Sequence, residues 1–197
     1  MGRPLRGVVI GAKKVGKTAI LSQFACGQDI CAKPYIPTIG DSYIVHIDHD
    51  KTRDYLILMD TPGLDGTEKT LKSLLQPADF VLFVCAVDNP TSLTFLESVS
   101  MCVEQLQKEK KDLVFIVLVN KCDSCGEAKY EKQYASIVNW CMKEKVRCFK
   151  VDPRSLKSVA EPFKYLVAKY FNAKDSRFSL PKKSKEKAPG AAILLDF

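Results

Sequence analysis

The run Gly11-Ala-Lys-Lys-Val-Gly16-Lys17-Thr18 constrains this chain more than any other feature. It follows the aliphatic stretch Leu5 to Ile10 and leads into Ala19 to Ala25, where Ile20, Leu21 and Phe24 share one side before Gly27 ends the pattern. A G-x-x-x-x-G-K-[ST] loop between a strand and a helix suits phosphate. Its glycines let backbone N–H groups curl round anionic oxygens, and the helix N-terminus adds about half a positive charge. On this reading Gly11, Lys14, Val15, Gly16, Lys17 and Thr18 form a phosphate cradle. Lys17 reaches the β- and γ-phosphates, and the Thr18 hydroxyl goes to Mg²⁺.

The rest of the chain alternates between two hydrophobic periods. Tyr43, Val45 and Ile47 alternate with polar neighbours, as in a half-buried strand, and Tyr55 to Met59 is a further strand. Phe80 to Val87 and Leu113 to Val119 are unbroken aliphatic runs, which suit central strands of a parallel sheet covered on both faces. Leu93, Leu96, Val99, Val103 and Leu106 stripe one helix, and Tyr130 to Lys145 forms another. Val146 to Val151 is a last strand, before a helix carrying Val159, Phe163, Leu166, Val167 and Tyr170. Ser158-x-x-Glu161 predicts a capping box at its start. This order predicts an α/β fold with a six-stranded, mostly parallel sheet and helices on both faces, its ligand at the carboxyl ends of the strands.

With 197 residues, 46% hydrophobic and 27% charged, the chain suits one globular domain with some excess. We expect a domain over residues 1–172 and a flexible basic tail over 173–197. The longest strictly apolar run, Phe80 to Val87, is far shorter than the roughly 20 residues that span a bilayer. The last residues, Leu-Leu-Asp-Phe197, hold no cysteine to prenylate, so no stable membrane anchor is expected. The net charge of +7 includes +3 in the tail and is too dilute for a nucleic-acid interface. Eight cysteines without an export signal read as reduced thiols of a cytoplasmic protein. Cys122-x-x-Cys125 supplies only two of the four ligands of a structural zinc site, and His46 and His49 read as a solvated hairpin.

Three further motifs lie beside strand ends or between elements. Asp60-Thr-Pro-Gly63 offers a carboxylate to hold Mg²⁺ through water and a glycine N–H for a γ-phosphate. In Asn120-Lys121-Cys-Asp123, the Asp123 carboxylate can accept from the guanine ring N–H and its amino group together, a donor pattern that adenine lacks. The Lys121 stem can lie along the base. Thr38, within Tyr35-Ile-Pro-Thr-Ile-Gly-Asp-Ser-Tyr43, can close its hydroxyl on the metal and its N–H on the γ-phosphate.

With these motifs in order, the chain resembles a Ras-superfamily small GTPase over residues 5–172, and the resemblance implies the P-loop NTPase small-GTPase fold. It makes 28–43 switch I and 60–76 switch II. Leu64 stands where active Ras-type enzymes place the glutamine that orients the attacking water, and leucine can neither donate nor accept. Lys13 and Lys14 replace two glycines, and Lys13 would crowd the space an arginine finger enters. Both changes predict slow hydrolysis. No phenylalanine lies between Asp29 and Ile36 to flank the base, and the last guanine motif would fall at Asp152-Pro153-Arg154, where Pro153 has no N–H.

Val15-Gly-Lys-Thr-Ala-Ile-Leu21, Leu64, Lys145-Val-Arg147, Glu161-Pro-Phe163 and Phe178-x-Leu-Pro181 are similar to the κB-Ras family, the NF-κB-inhibitor-interacting Ras-like proteins. That resemblance implies GTP/GDP and Mg²⁺ as ligands and a monomer acting through its switches. Its expected partners are IκB proteins, with restraint of NF-κB signalling, and the GAP complex of Ral GTPases. The competing readings are a conventional cycling GTPase and a nucleotide-free scaffold.

Overall fold

Unbroken aliphatic runs set the middle of the sheet. The computed structural model describes residues 4–49, 52–63, 68–122, 128–171 and 194–196. In it β4 (Phe80–Ala86) and β5 (Val114–Asn120) are buried at every residue. Around them lie β1 (Pro4–Ile10), α1 (Lys17–Cys26), β2 (Asp41–His49), β3 (Thr52–Asp60), α2 (Glu68–Leu75), α3 (Ser92–Glu109), α4 (Ala128–Lys143), β6 (Arg147–Lys150) and α5 (Leu156–Phe171). The expected α/β sheet of six mostly parallel strands is present, in the order β6-β5-β4-β1-β3-β2. Only β2 runs antiparallel to its neighbour β3 within that set. A seventh strand, β7 (Leu194–Asp196), pairs parallel with His46 to Asp48 at the β2 edge.

Each face of the sheet carries its own core. On one face Phe24 of α1 stacks on Phe163 of α5, with ring centroids 3.6 Å apart, over Val9, Leu56, Leu82 and Ile116. On the other, Leu71 and Leu75 of α2, Leu96 and Val103 of α3 and Ile137 of α4 cover Val81, Phe83 and Val117. The Tyr170 hydroxyl ties α5 to the sheet floor, donating to the Asp79 and Asp112 carbonyls.

Two helix ends differ from the reading of the sequence. The capping box at Ser158 does not form, because α5 begins at Leu156 and Ser155 is the cap. The Ser155 Oγ accepts the Ser158 N–H at 3.3 Å, while the Ser158 hydroxyl turns to the preceding loop and accepts the Asp152 N–H at 3.0 Å. At the end of α4, Lys145 adopts a left-handed φ of 57°. The Val146 N–H meets the Cys141 carbonyl and the Lys145 N–H that of Met142, a Schellman closure built on lysine instead of glycine. The eight-residue α2 was not expected; its apolar signal is confined to Leu71, Leu74 and Leu75.

Candidate nucleotide site

The strand ends of β1, β3 and β5 deliver the motifs to one edge of the sheet, as the parallel topology requires. The loop after β1 is tied to β5. Asn120, 2% exposed, donates its amide to the Val15 carbonyl at 2.8 Å, and Gly16 sits directly beneath that amide. A Cβ at Gly16 would stand 2.1 Å from Asn120 Nδ2, and its φ of 99° also favours glycine. Asn120 thus shapes the phosphate loop from 105 residues away.

Lys17 opens α1 and is 6% exposed. Its ammonium donates to the Gly11 and Ala12 carbonyls at 3.1 and 2.9 Å. Burial lowers its pKa from 10.5 to about 8, against the opposing attraction of Asp60. A cation held this far from water is short of counter-charge, and polyphosphate would supply it.

Thr18, Thr38 and Asp60 converge beside it. The Thr18 and Thr38 hydroxyls are 2.8 Å apart, and Thr18 donates to Asp60 Oδ2 at 2.7 Å. Burial raises the Asp60 pKa, partly countered by the Thr18 hydroxyl. Asp60 Oδ1 is buried without a hydrogen-bond partner among the described residues. Oxygen donors from three segments and an orphaned carboxylate oxygen fit a hard divalent cation or its water. Thr61 pins the end of β3 by donating to the Val9 carbonyl at 2.7 Å, an anchor the motif reading missed.

Thr18, Thr38 and Thr61 border a cavity of about 720 Å³, within the usual range for a small-molecule site. Lys14, Gly16, Lys17, Thr18, Thr38, Gly63, Asn120 and Lys121 all line it. Lys121, at a φ of 61°, sends its ammonium to Asp88 at 2.7 Å and leaves its stem along the cavity. Val15, by contrast, points into the core and contributes its carbonyl to Asn120. Gly11 gives its carbonyl to Lys17, and a Cβ there would stand 2.4 Å from the Val84 carbonyl oxygen. Leu64 and Asp123 lie outside the described residues, as does Cys125.

Around Pro153, Asp152 and Arg154 form a closed fork. Arg154 Nε and Nη2 donate to the two Asp152 carboxylate oxygens at 2.9 and 3.1 Å, and the Arg154 N–H adds a third bond. That pairing lowers the Asp152 pKa, and both residues line the cavity. Ile30, Cys31 and Tyr35 also line the cavity. Their role was hidden in the sequence because an irregular loop has no periodicity to mark an inward face.

Comparison with known proteins follows the same lines. The Ras family model matches residues 6–172. The chain belongs to the Ras family. Membership implies guanine nucleotide as the ligand class. The chain is 31% identical over 183 residues to the human NF-kappa-B inhibitor-interacting Ras-like protein 1, covering 92% of this chain and 94% of that protein. It is 30% identical over 192 residues to the mouse NF-kappa-B inhibitor-interacting Ras-like protein 2, covering 97% and 98%. The Drosophila melanogaster NF-kappa-B inhibitor-interacting Ras-like protein is 31% identical over 172 residues, covering 86% and 85%. Among the described residues, no helix is long and apolar enough to cross a membrane.

Proposed function

We propose that this Ras-family chain is a long-loaded GTP-binding regulator that hydrolyses GTP slowly and acts by contact with protein partners. The observation that carries this reading is the seat of Lys13 against Gly63. A Cβ at Gly63 would lie 2.3 Å from the Lys13 Cγ and 2.6 Å from its Cα. Lys13 thus packs against Gly63, and by the Ras resemblance its side chain stands on the side from which an arginine finger would enter. Leu64, next in the chain, has no amide to orient water.

In this proposal Lys17 binds the β- and γ-phosphate oxygens, and Asp123 reads the guanine edge. Thr18, Thr38 and, through water, Asp60 hold Mg²⁺, which neutralises charge on those phosphates when bound. Residues 28–43 and 60–76 form the partner surface. Its apolar content supports that role: Ile36 and Ile39 are 81% and 94% exposed, and Ile44 of β2 extends the patch. The relatives are named for interaction with an NF-κB inhibitor, so an IκB protein is the proposed partner. The resemblance adds the Ral GAP complex, the cysteine content a cytoplasmic setting, and a monomeric state completes the proposal.

The test is to identify the nucleotide that co-purifies with the protein, then titrate an IκB protein against GTP- and GDP-loaded forms. Bound guanine nucleotide, with binding weakened by Ile36→Asp or Ile39→Asp, is the expected result. Protein that purifies without nucleotide and takes up ATP and GTP equally overturns the reading.

A further inference from the structure

The adjacent lysines 13 and 14 each bear on a different switch. Lys13 lies against Gly63 of switch II. Lys14 adopts a left-handed φ of 63°, a region that side chains seldom enter, and its stem leaves the phosphate loop toward switch I. Its Nζ stands over the ring of Tyr35, 5.4 Å from the centroid. An ammonium at that distance is attracted by the negative face of the ring. Lys14 and Tyr35 both line the nucleotide cavity, and Tyr35 is 53% exposed, so the pair lies on its solvent side. Three residues further on, Thr38 meets Thr18. Switch I is thus held at two points by protein groups alone, Thr38 on α1 and Tyr35 on the phosphate loop.

We propose that Lys14 is a positioning residue that latches switch I across the nucleotide through the Tyr35 ring, whether the ligand carries two phosphates or three. This rests on the guanine-nucleotide reading above and extends it to retention. The alternative role for Lys14, direct attraction to phosphate, makes different demands. It would favour the more highly charged triphosphate, and it would not need Tyr35. The latch joins protein to protein, so it slows the exit of both nucleotides equally and vanishes when either partner is removed.

The experiment measures dissociation of fluorescent GDP and of a fluorescent non-hydrolysable GTP analogue in excess Mg²⁺. The proteins are wild type, Lys14→Gln, Tyr35→Leu, the double variant, and the conservative variants Lys14→Arg and Tyr35→Phe. Each disruptive single variant should speed release of both nucleotides about two- to fivefold, the range for a partly exposed cation–π pair. The double variant should be no faster than either single one, and the conservative variants should stay near wild type. The latch is overturned if the two effects multiply, if Tyr35→Leu releases at the wild-type rate, or if Lys14→Gln affects only the triphosphate. Wild type that loads no guanine nucleotide overturns both the latch and the underlying reading; loading with multiplicative effects overturns the latch alone.

Discussion

Lys17 makes nucleotide binding a proton-linked event, and the sign follows from its burial. In the free site its pKa is lowered from 10.5 to about 8, because the ammonium is stripped of water and the Asp60 charge only partly compensates. Bound polyphosphate stabilises the charged form and raises that pKa again. Below about pH 8 the lysine is already protonated, so binding takes up no proton and affinity is level. Above about pH 8 the free site loses its proton while the complex keeps it, so binding takes up one proton and affinity falls by up to about tenfold per pH unit. If phosphate returns the pKa to 10.5, the loss over the whole interval approaches about 3 kcal/mol. The assay is GDP titration of nucleotide-stripped protein between about pH 7 and 9, with calorimetry in two buffers of different ionisation enthalpy to count protons. Lys17→Arg keeps its charge throughout, because arginine does not deprotonate in this range. It should lose the slope and so separate it from any titration of the ligand. An affinity that stays level above pH 8 in wild type, or an equal slope in Lys17→Arg, refutes the reasoning.

Other consequences rest on separate parts of the fold. Chelating divalent cations should speed nucleotide release about tenfold or more, the loss of a charge-assisted contact of roughly 1.5–3 kcal/mol; Asp60→Asn should blunt that response in a stopped-flow release assay. Phe163→Ala removes one ring of the fully buried Phe24–Phe163 stack and should cost about 3–5 kcal/mol in urea denaturation. Lys145→Gly relieves the left-handed lysine that closes α4 and should raise stability by about 0.5–1 kcal/mol, read as a higher urea midpoint with the m-value unchanged.

The sequence was most readable where one physical requirement selects residues over a whole segment. Strands buried on both faces admit no polar residue, so Phe80 to Ala86 and Val114 to Val119 announced the sheet centre. The phosphate loop was readable because glycine and lysine are each demanded there at a fixed spacing. Local ambiguity hid the start of α5: Ser155 and Ser158 are both good caps, and only tertiary contacts send the Ser158 hydroxyl to the Asp152 N–H. The placement of Lys14 over the Tyr35 ring joins two loops across 21 residues, and neither loop has a periodicity that would have shown it. The grip of Asn120 on Val15 is a contact across 105 residues, in a motif whose residues are otherwise read for the base. The closed Asp152–Arg154 fork was hidden because the guanidinium could equally have turned outward, and only the local turn brings it onto the carboxylate.

Single-turnover phosphate release from protein preloaded with GTP tests the central claim most directly. Wild type is measured beside Leu64→Gln, Lys13→Gly and the two combined. The account predicts a wild-type rate below the roughly 3–5 × 10⁻⁴ s⁻¹ of Ras without its activating partner. It predicts a gain from Leu64→Gln, and a larger one when Lys13→Gly removes the side chain packed against Gly63, which precedes residue 64, and so leaves the new amide room to orient water. Wild type that hydrolyses GTP as fast as Ras, or a rate unmoved by Leu64→Gln, contradicts it and makes the protein an ordinary cycling switch.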